Sequence, residues 1–359
     1  MITLIIFIAV LSILIIVHEF GHFMMAKKVG VRVERFSLGF GPVLFSRKGK
    51  ETEFVLCAIP LGGYVKLAGD SLEEFKGGKD EYFTMPVIKR FGIVFFGPLL
   101  NYALGLACFW LIFIAGYPTL TTKVGGLVDG YGAKKAGILA GDKIVSIDSK
   151  KVETWEDIQK IIQSEKANAS VKIVLVREAK KLDLEVNIRE KSVDDALGQK
   201  RNVGILGIIP SDETMVVKHG FFQAPVLALN KTWELTALTY KAIWRLILGK
   251  LSMRDSVTGP LGMFYITSKV ASLGIIALIH FLATLSISLC LFNLLPIPAL
   301  DGGHLVLLLI EKIRGKGISL KAEHIFTQIG YALIIALAVT VTYNDILRLF
   351  GDKISRFFK

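Results

Sequence analysis

Four long apolar stretches constrain this 359-residue chain more than any other feature. Met1 to Val17 has no charged residue, and its apolar character runs on to Ala26. Phe91–Thr122, Val270–Leu300 and Ile325–Asn344 hold 32, 31 and 20 residues without Asp, Glu, Lys or Arg. About 20 apolar residues cross a bilayer as a helix, and a helix satisfies its own backbone in lipid. The sequence therefore predicts four transmembrane helices. A signal peptide is the rival for the first, but that stretch lacks a basic leader and a small-residue cleavage site.

Charge supplies the orientation. Twelve Lys and Arg lie between residues 26 and 90. Lys312, Arg314, Lys316 and Lys321 sit between the last two stretches. Both loops belong in the cytoplasm by the positive-inside rule, which places the N-terminus and the long 123–269 segment outside. Much of the net charge of +12 then reads as topology and contact with anionic headgroups. No basic helix or aromatic-interleaved sheet carries it, so nucleic acid is not an expected partner.

Ionisable residues at membrane depth are costly and mark function by default. His18, Glu19 and His22 end the first apolar stretch as HEFGH. The i, i+4 spacing puts both imidazoles on one helical face, able to hold one Zn²⁺ at about 2.0–2.1 Å. Glu19 then sits beside an open coordination position, suited to a general base. A surface helix with two His and a Glu is the bland alternative, and Leu4–Val17 leaves it no solvated face. Catalytic zinc usually has three protein ligands. Asp301, in NLLPIPALDGGH, is the only carboxylate at the end of the third stretch. Pro296 and Pro298 break the helix there, and Gly302 and Gly303 permit a tight turn. A helix-terminating acid is the alternative for Asp301, and His304 competes as a ligand. Asn293 offers amide donors to a substrate carbonyl, or an interhelical hydrogen bond.

HEFGH on the first membrane helix and N-x-x-P-x-P-x-x-D-G-G on the third resemble the site-2 protease family. The likeness is closest to its bacterial RseP-type members, which are regulated intramembrane zinc metalloproteases. GFGP at 39–42, PLGGYVKLAG at 60–69, FGPLLNY at 96–102 and TGPLGM at 258–263 extend it over nearly the whole chain. The resemblance implies His18, His22 and Asp301 as zinc ligands, Glu19 as catalytic acid/base and Asn293 near the substrate. It also implies a bacterial inner-membrane location and single-span substrates already trimmed by another protease. Anti-sigma factors and signal-peptide remnants are the expected classes, in a stress-response setting.

Phe36–Phe45 and Glu53–Lys66 read as short hairpins, punctuated by Gly39, Gly41, Pro60, Gly62 and Gly63. In the resembled family this region is re-entrant β-structure near the active site. An exposed strand edge there could pair with an unwound substrate, which places these four glycines among the substrate-binding candidates. A hairpin without substrate contact is the alternative.

Residues 123–192 alternate strand and helix, and A-x-x-A-G-x-x-x-G-D-x-I-x-x-I-D resembles the PDZ signature. A peptide groove is expected between Val124–Val128 and the helix starting near Thr154. That groove either docks an extracytoplasmic peptide or protein, or belongs to a module that only restricts access. Phe221–Leu248, with Trp233, Trp244, Lys231, Lys241 and Arg245, reads as an amphipathic helix at the membrane surface rather than a fifth span. Cys57, Cys108 and Cys290 are not at metal-ligand spacing and read as packing residues.

The expected architecture is an α-helical membrane protein with re-entrant β-hairpins and one extracytoplasmic α+β PDZ domain. Residues 1–122 form the first membrane part, with spans at about 2–25 and 91–116 around a β loop at 31–87. The PDZ follows at 123–200, then a segment at 201–269 with the surface helix at about 221–248. Residues 270–359 close the chain, with spans at about 272–296 and 325–347. The expected activity is intramembrane zinc endopeptidase. A non-catalytic PDZ scaffold with a structural metal site is the alternative, and a transporter is disfavoured because no inverted repeat is visible.

Overall fold

The computed structural model describes residues 2–71, 74–164, 169–194, 200–252 and 256–357. The chain divides into two compact units, one of Met1–Ile112 with Phe222–Lys359, the other of Phe113–Phe221.

The first unit is mainly helical, with one sheet between its first two helices. Helix α1 spans Ile2–Val29 and α2 spans Val87–Ala115. After the second unit come α5 (Ala224–Ile247), α6 (Pro260–Ser272), α7 (Ile275–Asn293), α8 (Asp301–Arg314) and α9 (Leu320–Phe357). The two helices between α2 and α5 are short and belong to the second unit. Helices α1, α2, α7 and the Lys321–Arg348 part of α9 are long and apolar enough to cross a membrane, and the protein is a multi-pass membrane protein. The amphipathic segment forms α5, with Trp233, Trp244 and Ile247 exposed on one side. Its other side buries Ala228 and Thr232, packs on α7, and brings Thr236 Oγ1 to 3.1 Å from the Tyr102 hydroxyl on α2. Helix α6 is an element that hydrophobic patterning did not separate from its flanks.

Strands β1 (Val33–Lys48) and β2 (Glu53–Leu67) replace the two separate hairpins expected from the glycine pattern. They form a single irregular sheet in which residues 35–38 are partnered on both sides, by 63–66 and by 53–56. Repeated bulges produce this folding-back, and the glycines sit at them, with φ of +89°, +86° and +132° at Gly39, Gly41 and Gly62. Phe40, Val43, Leu44 and Phe45 stay exposed along one stretch of the sheet.

The second unit is α+β. A four-stranded sheet runs in the order β6 (Lys150–Lys151), β5 (Lys143–Ile147), β7 (Ser170–Arg177), β8 (Lys180–Asn187). Alternation along β7 buries Val171, Ile173 and Leu175 beside Ile144, Ile147 and Val186. Helix α3 (Gly132–Lys135) is a single turn, and α4 (Trp155–Ser164) adds Ile158 and Ile162 to the core. Thr154 and Asp157 cap α4 reciprocally: the Asp157 N–H donates to Thr154 Oγ1, and the Thr154 N–H to the Asp157 carboxylate. Strands β9 (Arg189–Asp194) and β10 (Lys200–Ile205) pair antiparallel.

This unit is wider than the expected 123–200. β3 (Tyr117–Leu120) pairs with β12 (Thr214–Val217), and β4 (Val124–Leu127) pairs with β11 (Ile208–Pro210). Backbone pairing across some 90 residues of chain ties both flanks into one body, which local patterning cannot reveal.

Candidate metal centre

Helices α1 and α2 cross where both present a glycine. A Cβ on Gly21 would lie 2.2 Å from the Phe96 carbonyl oxygen, and one on Gly97 would lie 2.3 Å from His22 Nε2. Without side chains at these points the backbones approach closely, as small residues allow between membrane helices. The approach lets the His22 ring reach across: its Nδ1 lies 2.9 Å from the Ile93 carbonyl. A carbonyl only accepts, so Nδ1 carries the proton and Nε2 is left with its lone pair.

The third element arrives from the far end of the chain. Helix α7 stops at Asn293, and residues 294–300 turn through a positive φ at Ala299 before α8 begins at Asp301. The first turn of α8 packs hard on this loop, since a Cβ on Gly302 would meet the Leu295 oxygen at 2.2 Å and one on Gly303 the Ile297 oxygen at 2.3 Å. The D-G-G run therefore seats Asp301 at a fixed depth.

The result is a compact donor set. His18 Nε2 lies 3.2 Å from His22 Nε2 and 3.2 Å from Asp301 Oδ2, and His22 Nε2 lies 3.6 Å from Asp301 Oδ1. Among the described residues this is the one group of three or more His, Cys, Asp or Glu spaced to share a metal. Tetrahedral ligands at zinc distances of about 2.0–2.2 Å stand roughly 3.3–3.6 Å from one another, so the arrangement fits a single Zn²⁺ and leaves a fourth position open. Two nitrogens and one carboxylate oxygen also suit zinc chemically.

The other expected residues distribute unevenly. Asn293 Nδ2 lies 3.4 Å from His18 Nε2, at the edge of the donor set. Glu19 is half-buried, one residue from His18, against the last part of β2; a Cβ on Gly63 would be 3.4 Å from Glu19 Cγ. Gly39, Gly41 and Gly62 have the sheet itself as nearest neighbours, namely Ile59 for the first two and the Phe40 ring for the third. His304, the rival ligand, points its Nδ1 to Glu323 at 3.6 Å. The three cysteines are free and buried.

The second unit has a separate cavity of about 270 Å³. Trp155, Ile158 and Ile162 of α4 line one wall, and Val203 to Ile208 the other. The groove expected beside Val124–Val128 is thus displaced: Val124 is 1% exposed in the core, and β11 takes the place along β4. Leu206-Gly207-Ile208 lies after the PDZ-like pattern in sequence, so a reading from the N-terminal side passes it over. Its apolar-Gly-apolar run was the available signal.

The donor set has the composition of a metallopeptidase, and comparison with known proteins decides the matter. The model of peptidase family M50 matches residues 6–337. The chain belongs to peptidase family M50. A Rickettsia conorii protein named "putative zinc metalloprotease" is 36% identical, over 98% of this chain and all of that protein. One of the same name from Rhizobium meliloti is 33% identical over 96% of each. Protease RseP of Yersinia pestis is 29% identical over 96% of this chain and 98% of its own length. Among solved structures, the PDZ domain of an SdrC-like protein from Listeria monocytogenes aligns at 23% identity and a TM-score of 0.21, over 27% of this chain and 90% of that one. The M50 chain is a zinc metalloendopeptidase built into a multi-pass membrane bundle.

Proposed function

We propose that this peptidase cleaves within or beside the membrane-spanning segment of single-span proteins, with His18, His22 and Asp301 as zinc ligands and Glu19 as general base and acid. The observation that carries the reading is the convergence of two imidazoles and one carboxylate at 3.2–3.6 Å inside an apolar helical bundle, with Glu19 beside them. When bound, zinc supplies Lewis-acid polarisation of the scissile carbonyl and makes water nucleophilic near neutral pH. Glu19 takes a proton from the attacking water and returns it to the leaving amine nitrogen. The Asn293 amide donates to the substrate carbonyl oxygen and holds it in line.

A helical peptide bond is shielded by its own hydrogen bonds, so the substrate must unwind first. Residues 63–67 pair on one side with 33–38 and pack near Glu19, which makes their other side a template for an extended segment. The sheet, with its exposed Phe40 to Phe45 stretch, dips into the membrane in this reading. The second unit is a PDZ domain on the extracytoplasmic side, whose groove between α4 and 203–208 docks a peptide or whose bulk excludes untrimmed substrates. The active site faces the cytoplasm of a bacterial inner membrane, and the cleavage completes a regulated two-protease sequence.

The test is cleavage of a single-span substrate by the purified enzyme in lipid, with metal content measured on the same samples. Glu19→Gln should retain zinc and lose about 10²–10⁴ in rate. A zinc chelator should stop the wild type, and added zinc should restore it. Unchanged cleavage by Glu19→Gln would sink the mechanism. Cutting a long untrimmed ectodomain substrate as fast as a short one would remove the exclusion role.

A further inference from the structure

The two zinc-ligand histidines differ in what holds their second nitrogen. His22 Nδ1 is held by the Ile93 carbonyl at 2.9 Å. The His18 ring meets the Gly97 backbone and, at Nδ1, the side-chain amide of Asn101, whose Nδ2 lies 3.4 Å away. Asn101 sits on α2 and is 0% exposed, and its Oδ1 has no hydrogen-bond partner among the described residues. Its backbone carbonyl is fixed by the Ser286 hydroxyl of α7 at 2.7 Å, so the residue is anchored to two helices.

A buried amide oxygen left unpaired bears its full desolvation penalty, so a group that satisfies it is expected close by. Which atom of the amide faces the ring follows from the ligand chemistry. If His18 binds metal through Nε2, the neutral ring carries its proton on Nδ1 and can only donate there. An amide nitrogen opposite that proton is a mismatch, whereas a half-turn about Cβ–Cγ brings the orphaned Oδ1 to the same place. The helical geometry agrees, because side chains tilt toward the helix N-terminus. Asn101 therefore lies over the turn of Gly97, where α1 and α2 cross.

We propose that Asn101 is a positioning residue of the zinc centre: its Oδ1 accepts the His18 Nδ1–H, fixing the tautomer and the ring plane that aim Nε2 at the metal. The inference rests on His18 being a ligand, as proposed above. Outer hydrogen bonds of this kind typically govern metal affinity by about 10–100-fold.

The experiment uses the full-length protein in detergent, carrying Glu19→Gln so that self-cleavage plays no part. Zinc affinity is read by competition with a chromogenic chelator, and the ligand field by the visible spectrum of the Co²⁺ form. Asn101→Leu, close in volume but without an acceptor, should weaken zinc binding about 10–100-fold and alter the cobalt spectrum. Asn101→Asp, which keeps an acceptor, should restore affinity to within a few-fold. Unchanged affinity in Asn101→Leu overturns the proposal. Equal losses in the Leu and Asp variants also overturn it, because then packing and not acceptance matters. His18→Ala is the control for the ligand assignment. Wild-type zinc affinity in that variant would overturn the metal site itself, and Asn101 with it.

Discussion

Asp142 of the second unit is buried and Asp301 of the first is half-buried, and the two carboxylates are treated differently. In the second unit Asp142 is 1% exposed and gripped by Arg177, with Nε and Nη2 each at 2.7 Å, while the Leu139 N–H donates to it at 2.8 Å. Burial pushes its carboxyl up, but the Arg177 and Leu139 hydrogen bonds outweigh that and hold it below the usual carboxylate range. In the membrane bundle Asp301 meets two imidazoles instead. A guanidinium is a permanent cation, so the Asp142 pair is closed and structural. An imidazole is not a permanent cation and offers a nitrogen lone pair that a guanidinium lacks, so the Asp301 cluster can take in a metal ion where the Asp142 pair cannot. A carboxylate with an internal cation pins a fold; one facing two imidazole donors at zinc spacing makes a site.

The contrast can be broken at either end, and the largest effect is expected at Asp301. Asp301→Ala should remove the zinc and abolish cleavage, with the second unit's core protected from hydrogen exchange as in the wild type. Zinc retained at one equivalent in that variant would mean that the third ligand lies elsewhere. Gly97→Ala comes next, since its Cβ would lie 2.3 Å from His22 Nε2 and displace the ring. Zinc affinity measured by competition should fall at least 10–100-fold, as for loss of an orienting contact.

A smaller and purely structural effect belongs to the second unit. Ile173, 0% exposed, shortened to Val should cost about 0.5–1.5 kcal/mol in that unit's stability, read by hydrogen exchange along β7. Zinc content should not move; a loss of zinc there would show that the two units are not energetically separate. The smallest effect is a pH dependence. Asp142 is lowered in the folded state, so its contribution is complete above the unfolded value of about 3.9 and is lost as pH falls through the lower folded value. Acid should loosen the Leu139–Asp142 turn in the wild type, and Asp142→Asn should be loosened already at pH 7. An Asn variant with wild-type protection at neutral pH would remove the pinning role.

Local chemistry made much of the molecule readable in advance. Four spans follow from apolar length alone, and the helix ends shifted by only a few residues except at α9, which continues beyond the fourth apolar stretch to Phe357. HEFGH declared itself because i, i+4 spacing is a property of one helix. Asp301 was reachable from its lone carboxylate and the Pro and Gly residues around it. Asn101 is not, although FGPLLNY stands out in the sequence, because its meaning depends on which ring lies opposite on another helix. The position of the groove is not legible for a similar reason: β11 joins β4 from some 80 residues away and covers the edge that local pattern leaves open.

The sequence by itself therefore determined what each segment could tolerate: lipid around four helices, alternating burial in the second unit, a proton acceptor next to two metal donors. Those are consequences of residue spacing within one element. The tertiary structure decided which groups meet. It brought Asp301 to within 3.2 Å of His18 across 283 positions, let Gly21 and Gly97 draw α1 onto α2, and turned Asn101 toward the His18 ring. Contacts of this kind depend on where separate elements pack, and the spacing of residues along one element carries no record of that.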